Sequence, residues 1–348
     1  MSEAVRERDG DLTVVRYRPE PDQFAWTFGG AAPVARVRPG DVLELWTEDC
    51  YAGKVRGPDD LVSRVCEFPF LNPQTGPFHV EGARPGDTLA LHFVSIAPSR
   101  DYAASTTVPL FGALTSTHDT ATLQDPLPEV VWMYELDRAG GTATWRPRGG
   151  GREVTMPLDP MHGTVGVAPA ALEARTAIAP GAHGGNMDTP EMRAGVTAYF
   201  GVNVEGALSS LGDGHARQGE GESCGTALET AMDTAVIVDV IPGVATPWPR
   251  LESDGHVMSV GSAKPLEDAF RVAHVDLVDQ VGARGGYQRL DAYQLVSQLA
   301  LTPVAQVCNP LFSVVAKMSK DHLDGAYDPY GGAHARLRDV AATYRRSR

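Results

Sequence analysis

The sequence predicts a mostly β protein with a small helical segment near its C-terminus, and three observations carry that prediction. Thirty-seven glycines and 26 prolines are dispersed among Val, Leu, Thr and Tyr runs, the spacing of many short strands and turns rather than of disorder. Residues 229–241 (ETAMDTAVIVDVI) alternate and are rich in β-branched side chains, which suits a pleated, half-buried surface. Only from residue 265 onward does an apolar stripe of helical period appear, at Leu266, Ala269, Phe270, Ala273, Leu277 and Val278.

In order along the chain, residues 12–17 alternate as a strand, and residues 34–37 lead through Arg38-Pro39-Gly40-Asp41 into a second, 42–47. The same turn recurs at Arg84-Pro85-Gly86-Asp87 before a strand at 88–96, proline presetting one dihedral and glycine taking the position that needs positive φ. Residues 48–64 read as loop, and 99–142 as long loops with short strands at 130–135 and 143–145. Small residues at 161–167 suggest tight packing beside a site, and 194–204 alternate. Pro265 suits a first helical turn and Gly282 a stop; Asp291 with Gln294 resembles a capping box opening a second helix that Pro303 ends. Two closing strands follow at 304–307 and 312–318, and the polar tail from Asp321 reads as a peripheral, solvated extension. The expected division is a single unit over 1–348, β-rich at 12–251, helical with closing strands at 262–318, and a tail at 321–348. Pattern alone leaves sandwich and barrel both open.

A hydrophobic fraction of 43% with 21% charge is ordinary for a globular chain, and 348 residues can bury a sizeable core. A net charge of −14 argues against nucleic acid or an anionic membrane as partner. The cysteines at 50, 66, 224 and 308 show no C-x-x-C spacing, so neither a zinc ribbon nor a disulfide framework is implied. The charged N-terminus lacks the apolar region of a secretory leader, and no apolar run nears the roughly 20 residues that span a bilayer. The expectation is a cytoplasmic protein.

Function concentrates in residues 206–229, GALSSLGDGHARQGEGESCGTALE, where Asp213, His215, Gln218, Glu220 and Glu222 stand among glycines. Carboxylates and imidazole are costly to bury unless paired or ligating, and glycines let backbone approach a ligand. In an extended loop, residues two apart share a side, so Asp213 with His215 and Glu220 with Glu222 form two polar pairs. His215 is the best single metal-ligand candidate; Asp213 is a ligand or a turn former after Gly212, and Asp188 a ligand or a turn cap before Pro190. Imidazole among acids favours zinc, whereas a structural calcium site, the alternative, wants oxygen throughout. Glu222 and Glu81 are rivals for general acid–base work. His79 and His162 are candidates to bind substrate, His162 being read slightly more as a core residue. Cys224 lies in the densest motif, but none of the four lysines (54, 264, 317, 320) lies in a motif that would partner a catalytic thiolate, so it reads as a small buried thiol.

The run GDGHARQGEGE at 212–222 resembles the GD-x-H-x-x-Q-G-x-GE signature of the acetamidase/formamidase family. Glu48-Asp49-Cys50, NPQTGPFHVEGARPGDTLAL at 72–91 and Gly184-Gly185-Asn186-Met187-Asp188 follow the same order as in that family, so the resemblance spans roughly residues 34–318. It implies a β-sandwich with helices packed at its edge, a metal-binding role for Asp49, and hydrolysis of a small neutral amide, formamide or acetamide, to carboxylate and ammonia. The chain departs from the family after Asp188, where the family often has a basic residue and this sequence has Thr189-Pro190. Two further readings stand beside it: hydrolysis of another small C–N compound such as a carbamate, and a metal-stabilised binding module without catalysis. Neither substrate length nor oligomeric state follows from the sequence, and a homo-oligomer is compatible with it.

Overall fold

The computed structural model describes residues 4–10, 12–115, 125–323 and 327–348. A ten-stranded sheet runs in the order Val5–Asp9, Leu12–Tyr17, Val42–Thr47, Met232–Ile241, Thr88–Pro98, Thr197–Gly201, Arg250–Glu252, His256–Ala263, Phe312–Ser319 and Val304–Gln306. A five-stranded sheet orders Gly184–Asn186, Met161–Gly166, Ser209–His215, Gln74–Val80 and Ala35–Val37. These sheets are open, and they share one core, in which Leu45, Phe93 and Val236 from the first meet Phe78, Val165 and Leu211 from the second. That is a sandwich, and burying each such large side chain contributes roughly 1.5–3 kcal/mol relative to exposure.

Both Arg-Pro-Gly-Asp turns adopt one solution. Asp41 and Asp87 accept the amides of Arg38 and Arg84 on their side chains, while their own amides donate to the carbonyls of those arginines. The turns are therefore a local device used twice, not a repeat.

The segment expected as long loops is partly a sheet. Tyr102–Thr107, Val130–Asp137, Thr142–Trp145 and Val154–Pro157 form four antiparallel strands. The first of these, YAASTT, hides because its small and hydroxylated side chains show no apolar alternation. Residues 116–124 of that segment lie outside the described residues.

The two helices at Leu266–Gly285 and Arg289–Leu299 pack on the strands His256–Ala263 and Phe312–Ser319. Gly282 sits inside the first helix, which ends instead at left-handed Gly286, and Asp291 lies in the first turn of the second, whose N-cap is Gln288. The C-terminal tail corrects the expectation more strongly. Ala333–Arg346 is a helix whose Ala333, Leu337, Ala341 and Tyr344 cover Val42, Ala90, Val94 and Ile237 on the outer face of the large sheet. The terminal Arg348 pairs with Glu44, so this end is docked rather than solvated. Among the described residues, no helix is long and apolar enough to cross a membrane.

Candidate functional site

The strand Ser209–His215 supplies the centre, so the stretch expected as a loop is a strand over its first part. It pairs with Met161–Gly166 in a register that joins Met161 to His215, His162 to Gly214 and Thr164 to Gly212, and passes over Gly163 and Asp213. Asp213 is left-handed there, with φ +57°. Regular alternation would send Asp213 and His215 the same way as Leu211, into the apolar core. The irregular residue turns both out of it.

Asp188, Asp213, His215, Glu222, Glu229 and Cys50 thereby converge, all buried. His215 Nε2 stands 3.2 Å from Glu229 Oε2, 3.4 Å from Asp213 Oδ1 and 4.0 Å from Asp188 Oδ1. None of these four atoms has a hydrogen-bond partner of acceptable geometry. Their companion atoms are all engaged. Asp188 Oδ2 accepts from Asn309, Asp213 Oδ2 from Asn72 and Thr164, and Glu229 Oε1 from the Ala227 amide. His215 Nδ1 bonds Gln218. Each group is held by one side and presents a free atom to a common point.

Room for three of these side chains comes from Gly163. A Cβ there would lie 2.2 Å from Asp188 Oδ1, 2.6 Å from Asp213 Oδ2 and 2.9 Å from the His215 ring.

Three carboxylate oxygens and one imidazole nitrogen are a donor set suited to a divalent cation of zinc type. Four ligands at zinc distances stand about 3.3 Å apart in a tetrahedron, close to the two shorter separations here. The three separations from His215 Nε2 are compatible with such a set. Electrostatics agrees that something cationic belongs there. Burial, then Asp213, pushes the Asp188 carboxyl up to about 7. Burial, then Asp188, pushes Glu222 well up, and burial also raises Glu229. Burial works against a charged His215, yet Glu229 and Asp213 outweigh it and hold the ring well above its ordinary value.

Not every residue expected at the site arrives there. Asp188, Asp213, His215 and Glu222 come together. Asp49 does not join them: its Oδ1 accepts from the Tyr51 and Gly53 amides and its Oδ2 from Arg100, so it shapes the turn that delivers the neighbouring Cys50. Glu81 and His79 lie toward the far end of the strand Gln74–Val80, whose Gln74 pairs with Gly212. Glu81 is half-exposed and paired with Arg38, and the His79 ring packs against Gly206. His162 points to the sandwich interior, with Nδ1 on the Gly212 carbonyl and Nε2 on Thr234. Glu220 is exposed while Glu222 is buried, because left-handed Gly221 and Glu222 break the alternation expected of the pair.

Residues 229, 50, 72 and 309 were not expected to carry chemistry. Glu229 looks like the first residue of a strand, and Asn309 lies far away in sequence; the available signal was an acid placed just ahead of an apolar strand.

Cys224 is exposed, not buried as expected. Cys224→Ser is expected to keep most of whatever activity the protein has, since surface substitutions seldom exceed about 0.5 kcal/mol. A loss on the order of a thousandfold in an intact fold would restore a thiolate mechanism.

Fold and site together define a β-sandwich protein with a buried acid–imidazole centre. The Acetamidase/Formamidase family model matches residues 152–304, which contain Asp188, Asp213, His215, Glu222 and Glu229. An acetamidase from Yersinia enterocolitica is 37% identical, with a TM-score of 0.85 over 90% of this chain and 94% of that one. An acetamidase from Bacillus halodurans is 28% identical, with a TM-score of 0.78 over 88% and 98%. A formamidase from Methylophilus methylotrophus is 27% identical over 258 residues, and the match spans 61% of each chain. The chain belongs to the acetamidase/formamidase family.

Proposed function

We propose that this protein is a metal-dependent amidohydrolase that converts a short aliphatic amide, formamide or acetamide, to the carboxylate and ammonia. The observation that carries the reading is that three buried, unpartnered carboxylate oxygens, Asp188 Oδ1, Asp213 Oδ1 and Glu229 Oε2, lie 3.2–4.0 Å from the unpartnered His215 Nε2. Relatives named acetamidase and formamidase support the reaction class.

Amides resist hydrolysis because resonance lowers the electrophilicity of the carbonyl carbon and nitrogen leaves poorly as an anion. Asp188, Asp213, His215 and Glu229 would hold a divalent ion, which supplies Lewis acidity when bound. Glu222 is the proton carrier. Its carboxyl is buried beside Asp188 and accepts from the Cys308 thiol at 3.4 Å. It takes a proton from water as the C–O bond forms and returns one to nitrogen as the C–N bond breaks. Amide and water are thus consumed, and carboxylic acid and ammonia result. Cys50 is a poor candidate for nucleophile, because burial and then Glu229 push its thiol above its ordinary value and disfavour the thiolate.

Purified protein is expected to carry about one zinc or other divalent ion per chain. It is expected to release ammonia from formamide or acetamide, to stop after chelation, and to resume on zinc addition. Active protein free of metal by elemental analysis, or a metal-loaded protein inert toward both amides, overturns this function.

A further inference from the structure

We propose that Gln218 is a positioning residue that decides which nitrogen of His215 faces the carboxylates and keeps His215 in register with Asp188. Its metal arm rests on the reading of the site given above; its proton arm does not.

Gln218 lies against the wall of the site and makes three side-chain bonds. Its Oε1 is 2.9 Å from His215 Nδ1, and its Nε2 is 2.7 Å from the Asp188 carbonyl and 3.0 Å from the Ala305 carbonyl. A primary amide has two N–H donors on nitrogen and only acceptor lone pairs on oxygen. Both donors here go to backbone carbonyls, which can do nothing but accept. Rotating the amide by half a turn would set Oε1 against those two carbonyls and lose both bonds. Its orientation is therefore dictated by the backbone on either side. With Oε1 facing the ring, the Nδ1 contact is a hydrogen bond only if Nδ1 carries the proton. In the neutral ring that a metal requires, Nε2 is then the atom that offers a lone pair, and it is the atom standing 3.2 Å from Glu229 and 3.4 Å from Asp213. Without this amide a neutral ring would find better acceptors at Nε2, where charged carboxylates wait, and would turn its N–H toward the centre.

The same side chain sets a second position. Asp188 has φ +44°, an uncommon value for a residue with a side chain. Its amide is held by the Gly163 carbonyl, its Oδ2 by Asn309 and its carbonyl by Gln218. Gln218 thus ties the strand bearing His215, the segment bearing Asp188 and the strand Val304–Gln306 at one point. Ligand groups from different parts of the chain keep their spacing only while such a tie holds.

The test uses the full-length protein in wild-type form and as Gln218→Met, which keeps the shape but loses the bonds, and Gln218→Glu, which keeps an acceptor toward Nδ1. His215 ring nitrogens are followed by ¹⁵N NMR with and without zinc, assigned against His215→Gln, and zinc affinity is measured by competition with a chelator. Wild-type Nδ1 is expected to carry a proton in both states, with zinc on Nε2. Gln218→Met is expected to lose the Nδ1 hydrogen-bond signature and to bind zinc roughly ten- to a hundredfold more weakly, and Gln218→Glu to restore the Nδ1 proton. An unprotonated Nδ1 in the wild type overturns the proposal. So does a Gln218→Met protein with wild-type Nδ1 signals and wild-type zinc affinity. Should the wild type take up no zinc, the metal reading fails, and zinc-free wild type against Gln218→Met, compared at a pH where the ring is neutral, still decides the role of Gln218. Should Gln218→Met fail to fold, Gln218→Ala takes its place, and zinc on Nδ1 rather than Nε2 in the wild type still overturns the proposal.

Discussion

Glu222→Gln protein is expected to fold, to retain its divalent ion and to lose between about a hundredfold and ten-thousandfold in kcat, the range of general acid–base assistance. Glutamine keeps the shape of the side chain and an oxygen for the Cys308 thiol, which donates to Glu222 Oε2 at 3.4 Å. What it removes is the ability to take up a proton and return it. The carboxyl is suited to that work because burial, with Asp188 beside it, raises its proton affinity, so the carboxylate can take a proton from water and hold it until nitrogen departs. Glu81→Gln is the control. That carboxylate sits at the other end of its strand, half-exposed against Arg38, and its replacement is expected to leave kcat near the wild-type value. Steady-state kinetics with metal analysis on both variants checks the division of labour. A Glu222→Gln protein with full kcat would remove Glu222 from the chemistry. One that loses its metal would make Glu222 a ligand, a position open to it because its carboxylate lies in one group with Asp188 and His215.

Gly163→Ala is expected to lower activity by at least about a hundredfold, since a displacement near 1 Å at a catalytic centre has that effect. It should also destabilise the fold by roughly 1–3 kcal/mol, as forced overpacking does. The added methyl group would stand 2.2 Å from Asp188 Oδ1 and 2.6 Å from Asp213 Oδ2, well inside contact distance. Neither carboxylate can retreat freely, because Asn309 holds one and Asn72 with Thr164 the other. The ligand atoms must spread, and the divalent ion should be lost or bound weakly. Thermal unfolding, metal content and ammonia release measured together check this. A variant with full activity and normal metal content would show that Asp188 and Asp213 need not stand where they do over Gly163.

Much of this protein was legible in local pattern. The strands at 12–17 and 42–47 match their alternation, the two Arg-Pro-Gly-Asp turns close as their residues require, and the stripe from Leu266 is a helix. Asp188, Asp213, His215 and Glu222 stood out because polar groups among glycines make no sense as core. These features depend on residues within one turn or one strand of each other.

The rest depended on distant segments. Asp49 and Cys50 are neighbours in one conspicuous turn, and only the contact with Arg100 shows that the acid anchors the loop while the thiol reaches the centre. Glu81 and His79 looked like site residues because their motif was conspicuous, but the Gln74 end of that strand meets the site and theirs does not. Alternation could not foresee that Asp213 would adopt left-handed backbone and send His215 away from the core side of its strand. Asn72, Asn309 and Glu229 converge on the centre from segments up to 237 residues apart in the chain (72 to 309). A hydrogen bond depends on separation in space, and sequence spacing reports that only within one element. The sequence by itself therefore determined which residues could do the chemistry, and the tertiary fold decided which of them face one another.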